Sequence, residues 1–295
     1  MIPAPLVQSI FSGLLLGSIY ALMALGLTLI YGTLRILNLS HGALFMLGGY
    51  VAWIAISLLG LPVLVGLLLA FVLISIIGLS MYPTIINPLL RDPSWEMTTI
   101  IATLGLSIVF ENAALLIFGP RRKVVPTIIE GNMTIFSNVI VTYHELVVIG
   151  VTVASLITVW AFLKRSRHGL AVIAVAQDRD AAYLMGVNVQ GIFCLVLAVS
   201  SGMAAIAGVL LSSFYFLSPL VGGIPQLKAL LIIILGGLGS IKGTIHAAYI
   251  VGLMEALVSL YFGAKWALPF LFIFMMIVLI VRPSGFYGMS EDVRL

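Results

Sequence analysis

Long apolar runs recur along this sequence of 295 residues. The first, from Leu6 to Tyr31, contains no Asp, Glu, Lys or Arg. A run of about 20 apolar residues is long enough to cross a bilayer as an α-helix. With 62% hydrophobic and 8% charged residues, a soluble globule could not cover its own apolar surface. Because the alternating pattern of barrel strands is absent, the sequence predicts an all-α polytopic membrane protein.

We expect eight or nine transmembrane helices in a single domain over residues 1–295, with one or two of them broken or re-entrant. Gly42 to Leu59 is barely long enough to cross, and Leu227 to Leu235 is too short for a straight crossing. The predicted segments are Leu6–Tyr31, Gly42–Leu59, Leu61–Ile86, Thr98–Phe118, His144–Leu163, Gly191–Leu217, Leu227–Leu235, Gly243–Phe262 and Trp266–Val281.

Charge and cysteine content narrow the class of protein. No charge precedes Arg35, so the basic start of a cleaved signal peptide is missing and the first segment should remain as a membrane helix. The net charge is +4, but the basic residues are scattered at loop ends, which predicts a membrane lipid environment and no nucleic-acid partner. Cys194 is the single cysteine, which excludes an internal disulfide.

Loop charges predict the orientation, because cytoplasmic loops are rich in Lys and Arg. With residues 164–190 placed in the cytoplasm and nine crossings counted, nine basic residues lie inside and five outside. This predicts an N-terminus outside and a C-terminus in the cytoplasm. The five expected outside are Arg121, Arg122, Lys123, Lys228 and Lys265.

The most polar segment runs from Lys164 to Gln190. Six of the 24 charged residues of the chain fall within its first 17 positions, between two apolar segments, so it must lie in water. Asp178 can cap a short helix that Gly186 ends, and this helix would expose its apolar residues. We interpret the segment as a loop on which a separate ATPase docks. The residues assigned to this coupling are Gln177, Asp178, Arg179, Asp180, Tyr183, Leu184, Met185 and Gly186.

Two carboxylates lie inside predicted membrane segments. Glu111, beside Asn112, is in mid-span, and Glu255 is twelve residues into its own segment. Because an ionisable group in a bilayer is costly, each should face a water-filled path or other helices. Both a role in the pathway and a hydrogen bond between helices stay open.

Asn38, Ser40 and His41 form a polar cluster at the start of the second apolar segment. They could cap a broken helix whose N-terminus faces a solute or the pore. The alternative is an ordinary N-cap at the membrane surface, with Ser40 as the capping residue. The candidate pathway residues are therefore Asn38, His41, Glu111, Asn112 and Glu255.

Catalysis finds no support in the sequence. There is no nucleophile with a base beside it, no His, Asp or Glu group at metal-ligand spacing, and no nucleotide-binding Gly-rich motif. We therefore expect a chain that is not an enzyme and binds no cofactor or metal. If nucleotide energy is used, another subunit binds ATP and Mg.

Four blocks together resemble the smaller permease subunit of bacterial branched-chain amino-acid ABC importers. The ending R-P-S-G-F-Y-G from Arg282 also resembles that family, and the similarity covers nearly the whole chain. The four blocks are G-L-L-L-G-S-I-Y-A-L-M-A-L-G-L-T-L-I-Y-G from Gly13, I-L-N-L-S-H-G-A-L-F-M-L-G-G-Y from Ile36, A-Q-D-R-D-A-A-Y-L-M-G-V from Ala176 and G-G-L-G-S-I-K-G from Gly236.

The resemblance implies a set of partners and a location. They are a second homologous permease subunit, two ATPase subunits and a periplasmic solute-binding protein, in the inner membrane of a bacterium. Segment 176–187 would be the coupling loop. Related permeases also import urea, short amides and aromatic acids. The residues of the four blocks do not indicate which of these solutes is transported. An alternative from another class is an ion-coupled secondary transporter that uses Glu111 and Glu255.

Overall fold

A computed structural model describes residues 4–127, 129–135 and 139–288. Within these residues, eight helices are long and apolar enough to cross a membrane, which confirms the all-α polytopic prediction. The helices and strands are α1 (Ala4–Leu34), α2 (His41–Trp53), α3 (Val63–Met81), α4 (Asn87–Leu89), α5 (Trp95–Phe118), β1 (Asn132–Ile135), β2 (Val139–Thr142), α6 (Tyr143–Arg165), α7 (Arg167–Gln177), α8 (Arg179–Leu184), α9 (Val189–Ser212), α10 (Gly223–Gly236), α11 (Ile241–Tyr261) and α12 (Ala267–Val281).

Two of the membrane helices contain a π-helical turn. The helix that begins with α2 continues through Ile54–Leu58, and α3 continues through Tyr82–Ile86 into α4. The second turn contains Pro83, whose missing N–H and bulky ring interrupt the regular α-helical hydrogen bonds.

Helices α1 and α9 form the centre of the bundle, and α5 and α12 lie at its edge. In α1, 94% of the most apolar window is buried, against 11% for the last span, Ala264–Val281. Glycines allow this close packing: a Cβ on Gly13 would come within 2.8 Å of Leu253 Cα, and one on Gly17 within 3.0 Å of Tyr249 Cα. Small residues at such contacts let helix backbones approach in a bilayer.

These contacts also show that α1 and α11 are antiparallel. Gly13 lies beside Leu253, Gly17 beside Tyr249, and Gly32 beside Gly239. The end of α1 therefore lies at the same face of the protein as the start of α11. A cavity there joins Thr33 and Arg35 to Gln177 of the polar segment. We call this side the charged face and the other side the opposite face.

Within the described residues, the start of α1 and the segment after α12 lie on different faces. Tyr287, six residues after α12, lines the same cavity as Gln177, whereas α1 begins on the opposite face. The relative placement of α1 and α12 therefore agrees with the sequence-based topology. Residues 1–3 and 289–295, which include Arg294 from the inside charge count, lie outside the described residues.

Two helices begin inside the bundle rather than at a face. His41, the first residue of α2, packs against Gly26 of α1, about 12 Å from the end of that helix at 1.5 Å per residue. The start of α10 is equally deep, because Gly222 lies against Gly42. Residues 35–40 and 213–222 lead into these helices as irregular backbone. The predicted short segment over Leu227 to Leu235 is thus the 14-residue helix α10.

A β-hairpin on the opposite face is one part of the fold that the sequence did not predict. Strands β1 and β2 pair antiparallel, with Met133 opposite Val141. Val139 and Val141 are buried, and β2 packs against α1. A backbone bridge between Lys123 and Leu217 holds the preceding loop against the irregular segment 213–222.

Candidate functional site

The polar segment 164–190 contains two helices. Lys164 and Arg165 end α6, and Ser166 then turns the chain into α7, where its hydroxyl accepts a hydrogen bond from the Gly169 N–H at 2.8 Å. Helix α7 ends at Gln177 and α8 follows directly. The sequence indicated only the second of these helices.

Helix α8 has defined caps at both ends, as the sequence predicted. Asp178 Oδ1 accepts hydrogen bonds from the N–H groups of Asp180 and Ala181, both at 2.9 Å. At the other end, Gly186 has a φ of 82°. Its N–H donates to the Tyr183 carbonyl at 2.9 Å, and the Val187 N–H donates to the Ala182 carbonyl at 3.1 Å. This is a Schellman motif, so the short helix has a fixed length and end.

The caps hold three large side chains in solvent. Tyr183, Leu184 and Met185 are 70%, 83% and 85% exposed, whereas Ala182 on the other side of the helix is buried. Arg179 lies over the ring of Phe193 in α9, 5.1 Å from the ring centroid, and fixes the start of the helix. We call Tyr183–Met185 the apolar tip of α8.

Two cavities flank α8 on the charged face. One, of about 470 Å³, is lined by Arg35, Trp95 and Asp178, and the other, of about 330 Å³, by Arg91, Asp180 and others. The α1–α2 break and the loop before α5 therefore lie next to α8. Sequence reasoning placed Arg35 and Arg91 on this face and did not predict that they adjoin the coupling residues.

Asn38, Ser40 and His41 lie where the deep N-termini of α2 and α10 meet, and all three are fully buried. Asn38 Oδ1 accepts bonds from the Ser40 N–H and hydroxyl at 3.0 and 2.6 Å, and the Gln226 amide donates to the Asn38 carbonyl at 3.2 Å. His41 Nε2 donates to the Met23 carbonyl at 3.2 Å. The Gln226 bond holds α10 against the segment that leads into α2, and the His41 bond holds the start of α2 against α1.

The interpretation of Ser40 as an N-cap at the membrane surface is wrong. Its side chain makes no capping hydrogen bond and bonds instead to Asn38, and the residue has no exposed surface. The α2 N-terminus lies deep in the bundle and not at the membrane surface. There the Ser40 hydroxyl donates to Asn38, two residues earlier in the chain, instead of capping the helix. Buried polar atoms without a partner in the described residues also gather here: Asn38 Nδ2, His41 Nδ1 and Gln226 Oε1.

Glu255 belongs to a different cluster, between α1, α10 and α11. Lys228 Nζ lies 2.6 Å from Glu255 Oε1 and 2.7 Å from the Tyr20 hydroxyl, which donates to Glu255 Oε2 at 3.0 Å. The expectation that Lys228 lies in an outside loop is therefore wrong. It stands in α10, and its charge is compensated inside the bundle.

Lys228 and Tyr20 are residues that sequence reasoning missed. Lys228 was counted with the charges outside, although it lies within the predicted segment Leu227–Leu235 and apolar residues follow it. The sequence did contain a signal for the ion pair. Lys228 is a lone cation at the start of an apolar stretch, and the next segment contains one carboxylate, Glu255.

Glu111 and Asn112 form a third location, on the outer side of α5. The Ser107 hydroxyl donates to Glu111 Oε1 at 3.1 Å, and the Asn112 amide donates to the Ile108 carbonyl at 2.8 Å. A cavity of about 190 Å³ separates them from the irregular backbone of Ser218, Pro219 and Leu220. The five candidate pathway residues thus lie in three places, and the structure does not join them into one site.

No group of three or more His, Cys, Asp or Glu side chains in the described residues could hold a metal ion. Several buried polar groups instead form contacts between neighbouring parts of the bundle, such as Gln226 with Asn38 and Lys228 with Glu255.

Comparison with known proteins identifies the family of the chain. Residues 9–281 match the family model described as the permease component of the branched-chain amino acid transport system. The chain belongs to this family. It is 32% identical to the high-affinity branched-chain amino acid transport system permease protein BraD of Pseudomonas aeruginosa, with 96% of each chain covered.

Two other permeases of this family are also similar to the chain. LivH of Escherichia coli K12, a high-affinity branched-chain amino acid transport system permease protein, is 33% identical over 96% of each chain. The probable branched-chain amino acid transport permease protein LivH of Methanocaldococcus jannaschii is 26% identical, over 92% of this chain and 90% of its own. These matches confirm the family that the sequence blocks indicated.

Proposed function

We propose that this family member is the permease subunit of an ATP-binding-cassette importer. Together with a second homologous permease subunit, it forms the path for a small polar solute, and separate ATPase subunits drive transport by docking on residues 164–190. ATP and Mg bind to those subunits. The names of the similar permeases support branched-chain amino acids as the solute.

The proposal includes a location. The chain spans the cytoplasmic membrane with its charged face toward the cytoplasm and α1 beginning outside. The basic residues support this orientation, because Lys164, Arg165, Arg167 and Arg179 are all on the charged face. An extracytoplasmic solute-binding protein would then deliver solute to the opposite face.

The apolar tip of α8 is the observation that carries the proposal. Three adjacent large side chains are held in solvent by a helix that is capped at both ends. An exposed apolar patch with a polar rim is typical of a protein-binding surface. A helix of six residues with nothing covering its tip contributes little to the bundle itself, so a docking role accounts for it best.

The docking role can be tested by changing Leu184 to Asp in the assembled complex. A carboxylate in an apolar contact should remove most of the binding, so the ATPase subunits should no longer co-purify and substrate-stimulated ATP hydrolysis should be lost. Leu59→Asp is the matched control, because Leu59 is an exposed leucine on the opposite face. Normal co-purification and hydrolysis with Leu184→Asp would refute the docking assignment.

The surface that Glu111 shares with Ser218–Leu220 is the best-supported part of the pathway. Irregular backbone at membrane depth cannot face lipid, because its N–H and C=O groups need water or protein partners. A carboxyl group on the outside of α5 has the same requirement. Water between this surface and the second permease subunit would satisfy both, and Glu111 could then contact the ammonium group of an amino acid.

Glu111→Gln tests the pathway assignment. We expect transport to fall while the complex still assembles, because the amide keeps the size of the side chain and its bond to Ser107. Glu96→Gln in the first turn of the same helix is the control for charge loss. If Glu111→Gln prevents assembly instead, the residue is structural and the pathway lies elsewhere.

The secondary-transporter alternative receives no support from the two carboxylates. Glu255 is paired with Lys228, so only Glu111 remains as an ion or proton site. A secondary transporter also has no use for the apolar tip of α8.

A further inference from the structure

A groove of about 560 Å³ lies between α3, α7 and α9, close to the charged face. Its walls are apolar, formed mainly by Leu79, Ala171, Ile192 and Leu195. Arg167 and His168 lie at one end, in the first turn of α7. The groove thus combines a long apolar wall with a cationic end.

The cationic end has no opposing charge in the groove. No Asp or Glu is among the described residues that line it. Lys164 and Arg165 precede Arg167 in the chain and are exposed, so they add to the positive potential. Asn188 also lines the groove, and its side-chain oxygen already accepts a bond from the Gly191 N–H at 3.0 Å, so the amide has its NH₂ group left as a donor.

The position of the groove suits a molecule that is partly in the membrane. Leu79 belongs to α3, whose outer surface is apolar and exposed, with Ile76 at 55% and Leu79 at 46%. Helix α7 exposes Leu170 beside the basic residues at its start, as expected of a helix that lies at a membrane interface. The apolar wall therefore continues into the membrane, and the cationic end lies at headgroup level.

We propose that this groove binds an anionic phospholipid of the leaflet on the charged face. Arg167 pairs with the phosphate, because a guanidinium matches phosphate oxygens in a bidentate geometry. The Asn188 amide donates to the same headgroup, and one acyl chain lies along Leu79 and Leu195. Basic pockets between membrane helices suit anionic lipids for these reasons. The proposal does not depend on the transport function.

The apolar wall separates a phospholipid from a free phosphate ion. Inorganic phosphate could use only the cationic end and would be indifferent to the shape of the groove. A phospholipid requires both parts. The two sources of phosphate are therefore distinguished by a variant that fills the wall and leaves the charges in place.

The experiment compares purified permease complexes in nanodiscs of phosphatidylcholine that contain spin-labelled phosphatidylglycerol. Arg167→Gln should weaken association of the labelled lipid about fivefold. Arg165→Gln is the matched control, because it removes the same charge two residues away and Arg165 does not line the groove. Ala171→Phe, which fills the wall, should weaken association without changing the charge.

Three results would overturn the proposal. Equal weakening by Arg167→Gln and Arg165→Gln would mean that only the general surface charge attracts the lipid. Unchanged association in Ala171→Phe would mean that no acyl chain lies in the groove. Displacement of the labelled lipid by millimolar inorganic phosphate at constant ionic strength would identify a phosphate ion as the ligand. Thermal unfolding of each variant checks that the bundle is intact.

Discussion

Lys228 and Glu255 form an ion pair inside the helix bundle, with 2.6 Å between Lys228 Nζ and Glu255 Oε1. Their side chains are only 10% and 17% exposed. The Tyr20 hydroxyl accepts from the ammonium group and donates to the carboxylate, so all three groups are hydrogen-bonded to one another. The pair fixes the short helix α10 to α11, and Tyr20 fixes both to α1.

Changing Lys228 to Met should therefore destabilise the protein, because it leaves the Glu255 carboxylate buried without its counter-charge. Breaking one side of a buried pair costs about 3–5 kcal/mol, whereas replacing both partners is far less harmful. We expect the double variant Lys228→Met with Glu255→Gln to recover most of the loss. Chemical unfolding in detergent, with the exposed Lys265→Met as control, measures both effects. Wild-type stability in Lys228→Met alone would contradict this role of the pair.

Gly252→Ala should weaken the contact between α1 and α11. A Cβ at this position would overlap the Gly17 backbone N and the Gly13 carbonyl O, and neither backbone atom can move aside cheaply. We expect a loss of about 1–3 kcal/mol in the free energy of unfolding, as for other overpacked cores. Gly150→Ala in α6 is the control, since a Cβ there meets nothing within 4 Å. Equal stability of the two variants would show that the close approach is unimportant.

Asp178→Ala should loosen helix α8 without unfolding the bundle. The change removes the acceptor for two backbone N–H groups, which costs about 1 kcal/mol of local stability. Hydrogen exchange at the Asp180 and Ala181 amides should become faster, and substrate-stimulated ATP hydrolysis should fall in part. Asp178→Asn keeps a capping oxygen and should preserve slow exchange. Fast exchange in both variants would mean that the charge, rather than the cap, holds the helix.

The features that sequence could predict are those set by local chemistry. The α8 caps follow from Asp178 and Gly186 alone, and the membrane helices follow from the length of the apolar runs. The Lys228–Glu255 pair joins residues 27 positions apart in the chain, and Tyr20 lies more than 200 positions from either. Such contacts depend on how the helices pack against one another. The spacing of apolar residues along the sequence gives no information about that packing.

For the α2 N-terminus, local patterns left open both a broken helix within the membrane and a cap at its surface, and they could not decide between the two. Ser40 has the right residue type and place for a cap, yet it bonds to Asn38. The β-hairpin at Asn132–Thr142 lies in a loop for which the sequence analysis made no prediction of structure. Its strands bury Val139 and Val141 against the protein.

Arg35 offers a test of strain at the α1–α2 break. It is the one described residue other than glycine with a positive φ, at 60°, and it lines the cavity beside α8. Backbone in this region costs a non-glycine residue about 1–3 kcal/mol, more for β-branched residues and less for Asn. Arg35→Val and Arg35→Asn both remove the guanidinium, but only Val should lower the free energy of unfolding.

The two variants then separate backbone conformation from charge. If the guanidinium contributes to communication between α8 and α2, both variants should reduce substrate-stimulated ATP hydrolysis to a similar extent. If only the left-handed turn matters, Arg35→Asn should retain hydrolysis and Arg35→Val should lose it. Because Arg35 leads directly into the buried Asn38–His41 segment, we expect the second pattern, measured as unfolding and hydrolysis on the same preparations. Equal stability of the two variants would show that the positive φ imposes no strain.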